Sequence, residues 1–340
     1  MRSPGTLLAI ETSCDETAAA VLRDGREVVS SVVASQISLH ERFGGVVPEL
    51  AARAHLECIA PVVDEALQHV GGWEGIDAVA VTRGPGLIGC LVVGTAYAQA
   101  VAAVRGLPIC GVSHMAGHVY SAWLADPKLE PPYVALVVSG GHTDTVELRT
   151  HGDAVRLAST RDDAAGEAFD KAARMLGLGF PGGPAVERVA AEGDEARFPL
   201  PRTRLEDAFS FSGLKTALRY AIRDLGADAV DAGGAPADRR VRADLAASFQ
   251  AAAVAQLVDG AEAAVERTGA VSLAVVGGVA ANLALRSAVE RRFSGLRLSI
   301  PPMSLCTDNA AMIAAAGWHR FRCHGADAAF DVDPSLDEYA

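Results

Sequence analysis

The chain has 340 residues, half of them hydrophobic and only 5% aromatic, which suits one large α/β domain or two ordinary lobes and argues against a β-sandwich. Thirty basic residues against 42 acidic ones leave a formal charge of −12, which excludes a chain that grips nucleic acid unaided over a broad basic face. Six scattered cysteines (Cys14, Cys58, Cys90, Cys110, Cys306, Cys323) form no CxxC pair. With no leader-like N-terminus and no run of 18 uninterrupted apolar residues, they point to a reduced cytoplasmic protein that neither carries disulfides nor spans a membrane.

Residues 7–10 are a short apolar run ending in the polar cluster ETSCDET, followed by AAAVLRD, Gly25 and EVVSSVVASQ. This reads as three strands joined by an acidic turn and a second turn. Residues 48–70 carry Leu50, Ala54, Ile59, Val62, Val63 and Leu67 at helical spacing. A buried strand at 77–81 runs into TRGPGLIG, a small-residue helix covers 88–104, and ICGVSH is a strand leading into a helix that begins SHMAGH. A second round starts at 133–138 with a strand, the polar turn SGGHTD and the strand TVELR. Helices are expected around 164–176, 182–192, 241–268, 281–292 and 307–322, with a strand at 273–276 running into GGVAAN. The Gly-, Ala-, Pro- and Asp-rich stretch 226–240 reads as a flexible surface loop, and the acidic tail 324–340 as poorly ordered.

Two rounds that each open on a strand–polar turn–strand hairpin suggest an internal duplication. Backbone N–H groups of glycine-containing turns can cradle phosphate oxygens, so two such turns plus GGVAAN suit a nucleotide. The arrangement resembles the α/β actin-like superfold of sugar kinases and heat-shock ATPases, with two RNase H-like lobes and a cleft between them. On that reading an N-terminal lobe spans 1–132 and is rejoined by a helix at about 303–323, while a C-terminal lobe spans 133–302.

His114 and His118 lie four apart on a helix and share a face, so both can reach one ion. A zinc protease would need HExxH, but Met115 occupies the position of its general base. A third ligand must come from elsewhere: Asp308 in PPMSLCTDNAAM is the best candidate, with Cys306 and His142 as alternatives. Two imidazoles and one carboxylate with open positions suit divalent iron or zinc acting as a Lewis acid.

Taken in order, IETSCDET (10–17), FGGVVPELAARAH (43–55), GPGLIG (84–89), SHMAGH, VSGGHT (138–143), DDAAGEAFDK (162–171), FPGGP (180–184), FSFSGLKTA (209–217), GGVAAN (277–282) and CTDNAAMIA (306–314) resemble the tRNA adenosine threonylcarbamoyltransferase family in its bacterial TsaD form. The resemblance covers about residues 5–323. It implies transfer of threonylcarbamoyl from threonylcarbamoyl-AMP to the exocyclic amine of the adenosine 3′ of the anticodon, in tRNAs reading codons that begin with A, with release of AMP. It implies one divalent metal ion, iron or zinc with iron favoured, on His114, His118 and Asp308, in a site completed across the lobes. Substrate would meet Val137, Val138, Ser139, Gly140 and Gly141, and the adenosine part Asp170, Gly183 and Asn282. The implied partners are tRNA, an inactive paralogue (TsaB) and an ATPase subunit (TsaE), with the helix at 48–70 as the paralogue's docking face.

The chemistry of the residues adds roles. His142 can hydrogen-bond the threonyl group, and Glu11 or Asp15 can take a proton from the attacking amine. Lys171 is expected to pair with the acids of DDAAGEAFD. The sequence departs from the family at Ala116, where an acid is usual, which leaves open what supports the histidines. A fold of this kind alone would equally permit an ATP-hydrolysing regulatory module, which would need no three-ligand metal site.

Overall fold

The structure is a computed structural model and describes residues 4–203, 205 and 207–340. The chain opens with β1 (Thr6–Glu11), β2 (Glu16–Arg23) and β3 (Glu27–Ser35), then α1 (Ile37–His40), α2 (Pro48–Leu67), β4 (Ala78–Gly84), α3 (Ile88–Arg105), β5 (Ile109–Ser113) and α4 (His114–Ala125). It continues through β6 (Tyr133–Val138), β7 (Thr143–Thr150), β8 (Asp153–Thr160), α5 (Ala165–Met175), α6 (Gly182–Ala190), β9 (Ala208–Phe209), α7 (Ser212–Asp224) and α8 (Arg239–Thr268). It closes with β10 (Ser272–Val276), α9 (Leu283–Arg292), β11 (Arg297–Ser299), α10 (Met303–Cys306) and α11 (Ala310–His324).

By packing, these elements form two compact units: Met1–Pro131 with Leu148–Val155 and Pro301–Ala340, and Pro132–Glu147 with Arg156–Ile300. The β7–β8 hairpin tip therefore belongs with the first unit, a detail that the sequence does not announce. In the first unit the sheet order is β3-β2-β1-β4-β5. β1 runs antiparallel to β2 and parallel to β4, and β4 is parallel to β5. Alternate residues of the central strands face opposite layers, as the two-residue period requires. Leu8, Ile10, Val79 and Val81 share a core with Ile59, Val63 and Ala98 of α2 and α3, whereas Leu7, Ala80 and Val112 meet α11 around Gly317. A strand covered on both faces reads as a continuous apolar run, which is why 7–10 shows no alternation.

The second unit carries the order β11-β10-β6-β7-β8-β9, with β10 parallel to both β6 and β11. β6 is buried throughout. Four features differ from the sequence reading. β8, half exposed along its length, has no apolar alternation to betray it, and α7 was legible only as the motif FSFSGLKTA. The stretch 226–240 is held by its own hydrogen bonds: Asp231 N–H donates to the Ala235 carbonyl, Ala235 N–H to Asp231 Oδ1, Ala237 N–H to the Ala229 carbonyl, and Arg242 clamps the Pro236 carbonyl. Residues 326–340 are packed, with Leu336 and Tyr339 buried.

A polar–aromatic stack lies inside the first unit. His319, 3% exposed, stacks on His151 at 3.8 Å and on Tyr120 at 4.7 Å, and its Nε2 has no hydrogen-bond partner. Burial, then His151, Arg322 and Arg26, push its pKa down to about 2. Below about pH 6.5 the unfolded chain takes a proton here that the folded one refuses. The stability is complete above that value and is lost as pH falls toward 2. Between pH 6.5 and 5, wild type is expected to lose roughly 2 kcal/mol more unfolding free energy than His319→Phe. Parallel urea titrations check this, and equal losses would remove His319 as the cause.

Candidate metal centre and nucleotide-binding turns

α4 starts abruptly because Ser113 is its N-cap: the Oγ accepts from Met115 N–H at 3.2 Å and Ala116 N–H at 3.4 Å, a side-chain substitute for the missing helical acceptor. The first helical residue is His114, and His118 follows one turn later. Asp308 sits in the turn between α10 and α11, held by Asn309, whose Oδ1 accepts from Met312 N–H and whose Nδ2 donates to Thr307. Asp308 Oδ1 lies 3.5 Å from His114 Nε2 and 3.4 Å from His118 Nε2, and the three donor atoms fall within 4.8 Å of one another.

All three residues belong to the first unit, so the expectation of a site completed across the lobes is corrected: α11 brings Asp308 back beside α4. Cys306 is buried and directs its thiol to the Pro301 carbonyl, and His142 lies in the other unit. Neither joins the group.

The environment fits a cation. His118 is fully buried, and neither of its ring nitrogens has a hydrogen-bond partner, an expensive arrangement unless an ion is the intended partner. Burial pushes the His118 imidazole down, which favours the neutral, ligating form. Burial would also push His114 down, but Asp308 and Glu11 override it and hold its pKa up at about 9. Burial raises the Asp308 carboxyl, yet His114 and His118 bring it down to about 2.

Glu11 ends β1 with no exposed surface. Its carboxylate accepts from Ser13 N–H at 2.5 Å and Thr82 Oγ1 at 2.5 Å, and stands 3.1 Å from His114 Nδ1. Ser13 Oγ is also 3.1 Å from that nitrogen. A carboxylate only accepts, so the network assigns a proton to Nδ1 and makes Nε2, which faces Asp308, the nitrogen that a metal would take once its own proton is lost. The support for the histidines thus comes from β1, while Ala116 is buried in the helix. Asp15 lies in the partly exposed turn that follows, and Glu16 opens β2. Burial, then Asp15 and Asp308, push Glu16 up to about 9, a role that sequence reasoning missed because nothing in ETSCDET says which acids face inward.

In the second unit the turn after β6 is docked on the start of α5. Ser139 N–H donates to the His142 carbonyl at 2.9 Å, while the Ser139 and Gly140 carbonyls accept from Gly166 and Glu167. Val137 and Val138 are fully buried at the end of β6, whereas Gly140 and Gly141 are exposed. Gly277, at φ +93°, lies against the same strand end: a Cβ there would come within 2.5 Å of the Val138 carbonyl. Asp170 Oδ1 accepts from Gly182 N–H at 2.7 Å, beside Gly183. Asn282 caps α9 through Leu285 N–H and donates to Gln250; the next residue's N–H goes to Glu187 on α6. The unit therefore gathers Asp170 of α5, Gly183 of α6 and Asn282 at the start of α9 around α6. Lys171 pairs with Asp163 and Glu167 as expected, and Lys215 joins Asp163.

Known proteins align with this architecture. T. kodakarensis HypF is similar over 95% of this chain and 49% of its own, with TM-score 0.65 and 13% identity. The activator of 2-hydroxyisocaproyl-CoA dehydratase from Clostridium difficile matches over 94% and 96%, with TM-score 0.52 and 12% identity. At these identities the likeness concerns the fold, the two-lobed actin-like one. In sequence, the tRNA N6-adenosine threonylcarbamoyltransferase of Symbiobacterium thermophilum is 53% identical over 94% of this chain and 93% of its own. That of Anaeromyxobacter dehalogenans is 52% identical over 92% and 93%. The profile of the family described as tRNA N6-adenosine threonylcarbamoyltransferase matches residues 27–315. With that span and that identity, the chain belongs to the tRNA N6-adenosine threonylcarbamoyltransferase family.

Proposed function

We propose that the donor in this chain's transfer reaction is threonylcarbamoyl-AMP, that the acceptor is the adenosine 3′ of the anticodon in tRNAs reading codons that begin with A, and that His114, His118 and Asp308 hold one divalent ion. The observation that carries the metal reading is the buried, unpartnered His118 beside Asp308. Two imidazoles and a carboxylate, with the Cys306 thiol turned away, favour iron over zinc. When bound, the ion supplies a Lewis acid that draws charge from the carbamoyl group.

The chain's own groups do the rest. The adenosine amine attacks the carbamoyl carbon, the C–N bond forms, the C–O bond to phosphate breaks, and AMP leaves with the electron pair. One proton must leave the amine. Glu11, enclosed and already accepting three contacts, is a positioning residue for His114 rather than that base; Asp15, in the accessible turn, is the better acceptor. Backbone N–H groups at Ser139–Gly141 would steady phosphate or a developing oxyanion, and His142 would contact the threonyl end. Asp170, Gly183 and Asn282 would hold the adenosine part of the donor. An unpaired anticodon-loop base is presented without breaking a duplex.

The acidic balance of the chain calls for help in holding tRNA, which fits an assembly with the paralogue TsaB and the ATPase TsaE in the cytoplasm. All six cysteines are free, as a reducing compartment allows. The paralogue's docking face would lie on α2 and α3, where Gly89 packs against Ala52 and Leu56, Ile88 and Val92 are exposed. α3 is long and apolar enough to cross a membrane by composition, with a third of it buried. Its buried side, Leu91, Thr95 and Ala98, faces the fold, and its exposed side suits a protein partner.

Reconstitution tests the reading: protein, partners, ATP, threonine, bicarbonate and unmodified tRNA, followed by mass spectrometry of the digested tRNA for threonylcarbamoyladenosine. Asp15→Asn is expected to lower turnover ~100-fold or more with metal content unchanged. Glu11→Gln should instead weaken metal binding about 10- to 100-fold. The reverse pattern would exchange the two roles, and no modified nucleoside with active partners would refute the donor and acceptor assignment.

A further inference from the structure

Residues 327–339 follow a path that their composition does not suggest. Asp327 N–H donates to the Ile109 carbonyl at 2.9 Å, and its Oδ2 accepts from Gly111 N–H at 2.8 Å. The segment therefore pairs with β5, the edge strand of the first sheet, whose backbone groups would otherwise be open. Phe330 packs against the core and its carbonyl accepts from Gln99. Asp333 N–H donates to the Arg83 carbonyl, and the Pro334 carbonyl accepts from Gly86 N–H at 3.3 Å. The approach is so close that a Cβ on Gly84 would overlap the Asp333 carbonyl. Leu336 and Tyr339 are buried, while the acids between and beside them mostly face solvent.

The segment then reaches the metal helix. Ser113 Oγ donates its proton to the Glu338 carbonyl at 2.5 Å. A hydroxyl has one proton and two lone pairs, so this bond fixes the rotor with both lone pairs turned toward the N–H groups of Met115 and Ala116. The other anchor, Gly86, precedes Leu87, whose N–H donates to the Ser13 carbonyl at 2.8 Å, and Ser13 contacts both Glu11 and His114. The two anchors thus bear on the start of α4, one through Ser113 and the other through Ser13.

We propose that residues 327–339 form a strap that positions His114 and His118 by locking the Ser113 cap and the Gly86–Ser13 contact. The inference rests on the metal reading above, and its mechanical half can be measured without any ion. Deleting residues 332–340 leaves the Asp327 and Phe330 contacts in place and removes both anchors. A second variant, Leu336→Asp with Tyr339→Asp, detaches the same anchors with the chain length kept, should the deletion fold poorly.

Two readouts apply to each protein. Amide exchange of residues 113–118 in the metal-free chain is expected to speed up at least ~10-fold when the strap is removed, since the cap loses its fixed acceptor geometry. Affinity for Co²⁺, measured by chelator competition and by the visible spectrum of the bound ion, should fall about 10- to 100-fold, as for lost supporting contacts around a ligand. Ser113→Ala should lower affinity by a similar factor, and combining it with the deletion should add little, because both act through one hydroxyl. A folded deletion variant with unchanged exchange at 113–118 overturns the strap, as does full additivity with Ser113→Ala. Faster exchange on removing the strap, together with a full chain that binds no Co²⁺, would uphold the strap and overturn the metal reading instead.

Discussion

Asp308→Ala is expected to abolish both metal retention and threonylcarbamoyladenosine formation, each by at least ~100-fold, while the protein stays folded. The carboxylate is the only anionic donor in the group, and a pair of neutral imidazoles holds a hard divalent ion weakly. Its side chain is about a quarter exposed, so truncation opens no large cavity in the core. His118→Ala should be equally inactive, because it removes a buried donor that faces Asp308 and makes no hydrogen bond among the described residues. Metal analysis after gel filtration, run beside the reconstituted assay, separates the cases. Retained metal with lost activity would place Asp308 in catalysis rather than ligation. Retained metal with retained activity would remove the site from the reaction.

The second large effect is expected at the α2–α3 face. Leu56→Glu combined with Val92→Glu should weaken association with the paralogue by at least ~100-fold, because two carboxylates would be desolvated without partners in the interface. Both side chains are exposed, so thermal stability should be nearly unchanged. Calorimetric titration of the purified subunits gives the answer. Wild-type affinity in the double variant would move the docking face elsewhere.

These outcomes rest on features of uneven visibility in the sequence. The four-residue spacing of His114 and His118 was readable because helical geometry converts spacing directly into a shared face. Asp308 was readable as a candidate only through its motif; what brings it to α4 is the return of α11 across the sheet, a tertiary fact. Glu11 and Asp15 were equal candidates for the base because an acid at a strand end looks accessible, and only the fold shows Thr82, Ser13 and His114 enclosing Glu11. The segment beyond 326 was misread for a related reason. Its acids dominate the composition, yet three well-spaced apolar side chains, Phe330, Leu336 and Tyr339, are anchored, and the backbone bonds to Ile109, Arg83 and Gly86 need no apolar period. The 226–240 turn likewise depends on Arg242 and Asp231 finding each other, which composition cannot express.

The split of the first unit along the chain has a consequence for synthesis. His114 and His118 leave the ribosome long before Asp308, which lies 190 residues later (118 to 308). At 5–20 residues per second that interval is roughly 10–40 s. During it the two imidazoles have no carboxylate, and the strap that steadies them has not been made. A nascent chain therefore cannot complete its three-donor set, and metal selection is deferred until the polypeptide has threaded back on itself.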